Sequence, residues 1–445
     1  MAVPRGHLAR AGLEVILLIV AVACGTVNRA VPLSWRSYLL ETPPFDLPTP
    51  TPPLAMPTSF PTRVLTPAPV TPTPKPPPTP LPTATLPLPL DQAKKAPAPS
   101  TTVLGHGLRL PPGFQVAVYA HGLPTVANMA YADDGVLMAS LPGKGAVVAL
   151  PDPGGSGQAQ KAIVFAQGLT YPSGLAFHDG YLYVAEASQI VRFQYTTGQL
   201  SAQGAAEVVV PNLPAGSVHL SHAIGFGPDD KLYVGIGSSC NACKEADYRR
   251  ATIMRYNPDG SQEELYAQGL RDAEALCWYP NTHQLLVTNC SRERMGDDMP
   301  PDTIEYVYAG VNFGWPFCHA GDVPDPELGW PGVCDMVPQS FYQFQAHSTP
   351  QGMCVYLGSQ FPPEYYGDIF VALSGSWERT VPVGYKIVRL NVEKGQIVGQ
   401  EDFASGWLEQ WLSWGRPIDL VQAPDGSLLV SDDRSGAILR IFYRG

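Results

Sequence analysis

Charge is scarce in this chain. Only 15% of its 445 residues are Asp, Glu, Lys or Arg, and 28 basic side chains face 39 acidic ones. A formal charge of −11 without a basic stripe excludes a nucleic-acid binder, which needs cations to neutralise phosphates. Long apolar runs are missing too. The longest, from about Leu13 to Cys24, falls short of the ~20 residues of a comfortable membrane span. Across the repeating part of the chain no helical period of any length intervenes. Zinc and haem signals are absent as well: Cys240-Asn241-Ala242-Cys243 is followed by Lys244 rather than histidine, and no second CxxC exists.

What is present begins with an export signature. Arg5, His7 and Arg10 precede the apolar run, as in a secretory signal covering residues 1–24. Ala21-Val22-Ala23-Cys24 resembles a bacterial lipobox, in which Cys24 is lipidated and becomes the first mature residue. Plain cleavage nearby and an uncleaved anchor are the alternatives. Residues 25–102 read as a Pro/Thr-rich stalk, densest from Thr42, and many of the chain's 48 prolines lie there. Proline removes backbone donors and fixes φ, so this segment cannot pack; it is an extended spacer suited to a cell surface. A globular domain is expected over 103–445.

That domain holds seven of the eight cysteines. An exported domain permits disulfides, and an odd number leaves at least one thiol unpaired. Cys318 and Cys334 flank a Gly/Pro/Asp-rich loop and make the best pair. Cys240 and Cys243 are either a local disulfide or two ordinary thiols.

A repeat sets the fold class. A turn followed by an alternating strand recurs six times: Asp133-Asp134-Gly135-VLMAS, His178-Asp179-Gly180-YLYVAE, Asp229-Asp230-Lys231-LYVGI, Asn281-Thr282-His283-QLLVTN, Tyr366-Gly367-Asp368-IFVALS and Asp425-Gly426-SLLVSD. Asp and Gly supply left-handed turn conformations, and the alternation has the period of strands. Further strands follow at Ile190, Ile253, Ile387 and Ile438. Most copies stand roughly 45 to 58 residues apart, the spacing of four-stranded blades. The expectation is an all-β, six-bladed β-propeller. One longer gap, between His283 and Asp368, must hold an insertion. The stretch from Phe114 to Ala120 has no local partner and is expected to pair with Ile438–Ile441, closing the ring.

In a propeller the innermost strand of each blade lines the axis, and the loop entering it opens on one face. Those entrances carry His219, His222, Arg271, Asp272, Glu274, His347 and Arg416. Arginine and histidine converging from several blades suit an anionic, flat or carboxylated ligand. Trp377 and Trp414 suit sugar stacking and core packing equally.

The domain resembles the soluble pyrroloquinoline-quinone-dependent glucose/sorbosone and pyranose dehydrogenases. The blocks LPPGFQVAVYAHGLP, FGPDDKLYVGIGSSCN, RRATIMRYNPDG, GDDMPPD, NFGWPFC, AHSTPQG, GSWERTVPVGYKIVRL and GRPIDLVQAPDGSLLVSDD stand in family order across residues 104–445. The resemblance implies that His219 is the base taking a sugar hydroxyl proton while hydride moves to the quinone; a neutral imidazole suits that task. It implies a cofactor held by Arg271 and Arg416, with Asp272, His347 and Arg379 beside it, and calcium on backbone carbonyls of the Asn289–Arg292 loop, chiefly Ser291 and Arg292. His222 reads as a rim or supporting residue. Asp297 and Asp298 either bind a cation or only turn their loop. Three positions depart from the family pattern: Asp272 for asparagine, Ala273-Glu274-Ala275 for Pro-x-Gly, and Ser374 for histidine, where Arg379 is the compensating candidate.

The leading expectation is an exported quinoprotein oxidising a sugar or sugar-derived alcohol or aldehyde, with pyrroloquinoline quinone and Ca2+ as cofactors. Electrons would pass to a separate acceptor, and membrane attachment would run only through the N-terminus. A calcium-dependent lactonase-type hydrolase and a non-catalytic carbohydrate- or protein-binding propeller are the alternatives. The hydrolase wants acids and amides around an axial ion; Asp272 and Ser374 favour the binder.

Overall fold

The computed structural model describes residues 100–445, apart from residues 217 and 281. The expected signal segment and all but the end of the expected stalk lie outside these residues. Strands dominate. Among the described residues the helical pieces are two 3-10 turns, Pro142–Lys144 and Pro363–Tyr365.

Six antiparallel sheets form the blades of a propeller. They span residues 129–167, 175–210, 224–268, 273–343, 350–405 and 417–443, the last joined by 114–121. The first strand of each blade packs against its counterparts around the axis. Each repeated turn then leads into the second strand, as in Leu137–Leu141 and Leu232–Ile236, where every residue is buried.

Period two explains how one strand serves two interfaces. In blade 2, Leu182 and Val184 face blade 1, while Tyr183 and Ala185 face blade 3. In blade 3, Leu232 and Val234 point back to blade 2 and Tyr233 points on to blade 4. Six apolar clusters result, one in each interface between neighbouring blades. At ~1.5–3 kcal/mol for each fully buried large aliphatic side chain, these clusters are the main force holding the ring.

The ring closes as expected. Phe114–His121 pairs antiparallel with Ala437–Tyr443, from Phe114 opposite Tyr443 to His121 opposite Ala437. Phe114 sits edge-on to Phe361, Tyr365, Phe403 and Tyr443 at 4.8 to 5.1 Å, binding the first strand to blades 5 and 6. The described β-structure starts at Ser100, three residues ahead of the expected boundary. Leu104 and Gly105 both take positive φ (52° and 85°), the two-residue turn that joins Ser100–Val103 to His106–Arg109. Arg109 pairs with Ser405, so this hairpin extends blade 5 to six strands.

The insertion falls within blade 4, between Thr303–Val307 and Tyr342–Gln343, and a Cys318–Cys334 disulfide staples it. Cys240 and Cys243 are also bonded to each other. Among the described residues Cys277, Cys290 and Cys354 are free.

Blade 4 buries one acid awkwardly. Glu305 is 2% exposed; its Oε1 accepts from Ser340 Oγ at 2.8 Å, while Oε2 has no partner among the described residues. Burial pushes its pKa up to about 7. A carboxyl raised in the folded state contributes stability below its unfolded pKa of 4.5, and loses it as pH climbs through 7. Glu305→Gln is therefore expected to raise stability by about 2 kcal/mol at pH 8 and to change little at pH 4.5. Urea unfolding at the two pH values checks this. An equal effect at both would refute the account.

Candidate functional site

The entrance loops of all six blades open on one face, and the space below divides in two. An axial chamber of about 500 Å³ is lined by Asn128, Tyr171, Ser221, Glu274, Gln351 and Arg416, among others. A lateral chamber of about 450 Å³ lies between blades 3, 4 and 5 and is lined by His219, Arg271, Asp272, Ser291, Asp302 and His347, among others. Thr349 and Trp377 line both. Beneath the axial chamber a narrow space of about 160 Å³ runs between the inner strands past Glu274 and Asp419. A groove of about 610 Å³ along the outer edges of blades 1 and 2 is larger, but it lacks convergent cations or imidazoles.

His219 owes its place to a strained turn. Its φ is 48°, a left-handed value that costs a non-glycine residue ~1–2 kcal/mol. Thr125, Tyr171, His347 and Thr349 take the same region in their own entrances, at φ of 53° to 65°. The ring of His219 is then fixed from below: Nδ1 lies 3.0 Å from the Ser238 carbonyl and 3.1 Å from the Ser238 hydroxyl. With Nδ1–H donating to that carbonyl, the lone pair is left on Nε2, which is 3.4 Å from Asp272 Oδ2. Gly237 makes the approach possible, because a Cβ there would collide with both Asp272 and His219.

The electrostatics keep this imidazole neutral. Burial, and then the Arg271 cation, push the His219 pKa down to about 4. Burial raises Asp272 to about 6 and raises Glu274, hydrogen-bonded to it, well above the usual carboxylate range. The pair therefore retains a proton near neutrality, held on Glu274, with Asp272 the ionised member facing His219.

Arg271 is buried, 7% exposed, and makes no ion pair among the described residues. Nε donates to the Asn241 carbonyl at 3.2 Å, Nη1 to the Cys290 carbonyl at 3.3 Å and Nη2 to Asn241 Oδ1 at 3.2 Å. Three neutral acceptors leave two of its five N–H groups for a ligand. Asp272 next to it supplies negative charge at a distance, but among the described residues no carboxylate bonds the guanidinium directly, and an anion in the chamber would be its first direct charged partner. His347 donates Nε2–H to the Gly296 carbonyl at 2.8 Å, which leaves Nδ1 as an acceptor.

The other expected residues are placed differently. Arg416 faces the axial chamber and is paired with Asp433 through Nε and Nη2. Arg379 lines neither chamber; it bonds the Asp297 and Ala346 carbonyls and pairs with Asp298 at 2.8 Å. Asp297 accepts from the Thr380 N–H and Asp298 holds Arg379, so both serve to tie that loop. The Arg292 side chain turns away into the blade 4 insertion, pairing with buried Asp325 and with Glu327 at 2.7 Å. His222 is 1% exposed, its ring nitrogens facing the Gly235 and Ala187 carbonyls, and it ties blade 3 to blade 2 rather than standing at the rim. Ser374 lines the axial chamber. Trp414 stacks on His106 at 4.5 Å, whereas Trp377 stands 72% exposed over both chambers.

For calcium the test is the donor set. Among the described residues the carbonyls of Ser291 and Arg292 accept no hydrogen bond, and Asp302 stands beside them, its oxygens accepting from the Ser291 and Thr349 N–H groups at 2.8 Å. Free carbonyls beside a carboxylate are hard oxygen donors of the kind calcium takes. Sequence reasoning missed Ser238, Asn241 and Asp302. All three stand in quoted blocks, Ser238 and Asn241 in FGPDDKLYVGIGSSCN and Asp302 in GDDMPPD, but nothing in those blocks marks them as site residues.

A six-bladed propeller in which a neutral histidine and a buried arginine with only neutral hydrogen-bond partners face one chamber is suited to binding an anionic ligand. Residues 178–440 match the model of the family described as Glucose / Sorbosone dehydrogenase. The chain belongs to that family. A relative from Borreliella burgdorferi, an uncharacterized protein, is 32% identical over 223 residues, which cover 48% of this chain. The chain spans 58% of the length of that relative. Among solved structures, the holo form of the pyranose dehydrogenase PQQ domain from Coprinopsis cinerea superposes with a TM-score of 0.65 at 18% identity, covering 78% of this chain and 98% of that one. The PQQ-bound aldose sugar dehydrogenase from Streptomyces coelicolor gives 0.54 at 20% identity, covering 75% and 99%. These two likenesses speak for the fold.

Proposed function

We propose that the chain is an exported quinoprotein that oxidises a sugar or a sugar-derived alcohol or aldehyde, with pyrroloquinoline quinone and calcium bound in the lateral chamber. The observation that carries this reading is Arg271, a buried guanidinium with only neutral partners, facing the same chamber as the neutral His219. Family membership supports it, and so do relatives in structure whose names specify that cofactor. The group supplies a quinone carbon that accepts hydride. Arg271 would hold one of its carboxylates, and the Ser291 and Arg292 carbonyls would hold the calcium. His219 Nε2 takes the proton from the sugar hydroxyl. The imidazolium that results lies 3.4 Å from Asp272, whose negative charge stabilises it. Trp377 would stack on the sugar ring, excluding water from one side. Electrons leave to a separate acceptor.

Residues 1–24 would direct export, Cys24 would anchor the chain, and the stalk would hold the propeller off the membrane. The chemistry of residues 1–102 supports this part. No helix among the described residues is long and apolar enough to cross a membrane.

One observation favours the binding-propeller alternative: Asp272, Asp302 and Glu293 put three carboxyls in the chamber expected to take an anion. Reconstitution decides between the readings. The purified chain with pyrroloquinoline quinone and calcium should show bound-quinone absorbance at micromolar concentration, and should reduce a dye with one or more aldoses, ketoses or sorbosone. No uptake under those conditions would replace the enzyme with the binder.

A further inference from the structure

Cys240 and Cys243 enclose only Asn241 and Ala242. Closing so short a loop restricts the unfolded chain far less than Cys318–Cys334, whose partners are 16 apart. Stability is a weak reason for this bond. Its surroundings suggest another. Asn241 gives Arg271 two of its three acceptors, and also bonds the Glu293 N–H at 2.8 Å, the Glu293 carbonyl at 2.9 Å and Trp315 Nε1 at 3.3 Å. The Cys240 carbonyl accepts from the Ser238 hydroxyl at 2.7 Å, and that hydroxyl lies 3.1 Å from His219 Nδ1. One disulfide loop thus holds both the cation and the imidazole of the lateral chamber. Cys240 lines that chamber, both half-cystines are only half-buried, and the exposed Ser239 hydroxyl lies 3.8 Å from Cys243 Sγ.

We infer that Cys240–Cys243 is a thiol–disulfide exchange site through which a dithiol reductant sets the anion affinity of the lateral chamber. The anion rests on the function proposed above; the exchange site does not. One thiolate of the dithiol attacks Cys243 Sγ, the S–S bond breaks, and Cys240 leaves as a thiolate that takes up a proton. The second thiol of the reductant then displaces Cys243, which leaves and is protonated. Two electrons and two protons pass to the protein, and the reductant ends as its own disulfide. Without the cross-link Asn241 is held only by its bonds to Glu293 and Trp315, and the two acceptors it gives Arg271 are placed less firmly than the Cys290 carbonyl.

The test uses the purified full chain and dithiothreitol. Alkylation followed by mass spectrometry should show Cys240 and Cys243 opening at reductant levels that leave Cys318–Cys334 intact. Pyrroloquinoline quinone, with calcium, should bind about tenfold or more weakly to the reduced protein, and reoxidation should restore it. The His219 ring 15N shifts should move on reduction, and the C240S/C243S double variant should match the reduced wild type and ignore the reductant. Opening of Cys318–Cys334 first, or unchanged quinone affinity and unchanged His219 shifts after reduction, would overturn the inference. If the oxidised wild type takes up no quinone, the proposed function fails. The His219 shifts then decide for the exchange site if they move, and against it if they do not.

Discussion

Reconstituted His219→Ala protein is expected to keep its bound-quinone absorbance and to lose roughly 10²-fold or more in turnover, the usual scale for removal of a general base. The pH profile of the wild type makes the prediction sharper. His219 serves as a base only while neutral, and burial holds its pKa down to about 4. Activity should therefore fall in two stages on acidification, first through about pH 6 as Asp272 takes up a proton and its stabilising charge is lost, then towards 4 as His219 itself is protonated, provided the fold survives. His222→Ala should behave differently. That residue joins two blades from a buried position, so its loss should lower the melting temperature with little effect on turnover per folded molecule. Steady-state kinetics with the quinone in excess, alongside thermal melts, separates the two. Full activity in His219→Ala would move the base elsewhere and leave the family standing.

A chain beginning at Leu123 is expected to lose cooperative folding or to aggregate. It lacks Phe114–His121, so the backbone groups of Ala437–Tyr443 become an open edge. It also leaves the aromatic rings around Phe114 facing a void, and deletion of a buried Phe alone costs ~3–5 kcal/mol. A chain beginning at Leu110 drops the added hairpin of blade 5 but retains the closing strand, and should melt cooperatively. A synthetic peptide covering residues 110–122 should restore solubility to the shorter chain by adding the missing strand. A soluble, cooperative fold from the Leu123 chain alone would show that closure contributes little.

The blades were legible in the sequence because a turn and a two-sided strand recur at one spacing, and each copy obeys the same packing rule. Closure by Phe114 was legible for a related reason: a strand without local partners must find an edge. The insertion and its Cys318–Cys334 staple followed from a gap and a composition. The site was legible only in part. His219, Arg271, Asp272, Ser291 and His347 do share one chamber. Arg416 stands at an equivalent entrance, but which chamber it faces depends on its pairing with Asp433, and no spacing encodes that. Arg379 is drawn off by Asp298, a residue that read either as a cation ligand or as part of a turn. Asn241 stood in a quoted block, but its role was not legible, because it comes from where a disulfide puts its amide, and amide residues in loops are commonplace.

Ring closure also fixes an order of events during synthesis. The strand Phe114–His121 is made early, yet its partner Ala437–Tyr443 comes roughly 300 residues later, a wait on the order of tens of seconds at ribosomal speed. Throughout that time an apolar strand has no ladder to join. A strand made near the start of the propeller is the last to be placed, and any factor that shields nascent strands would act on this chain through those eight residues.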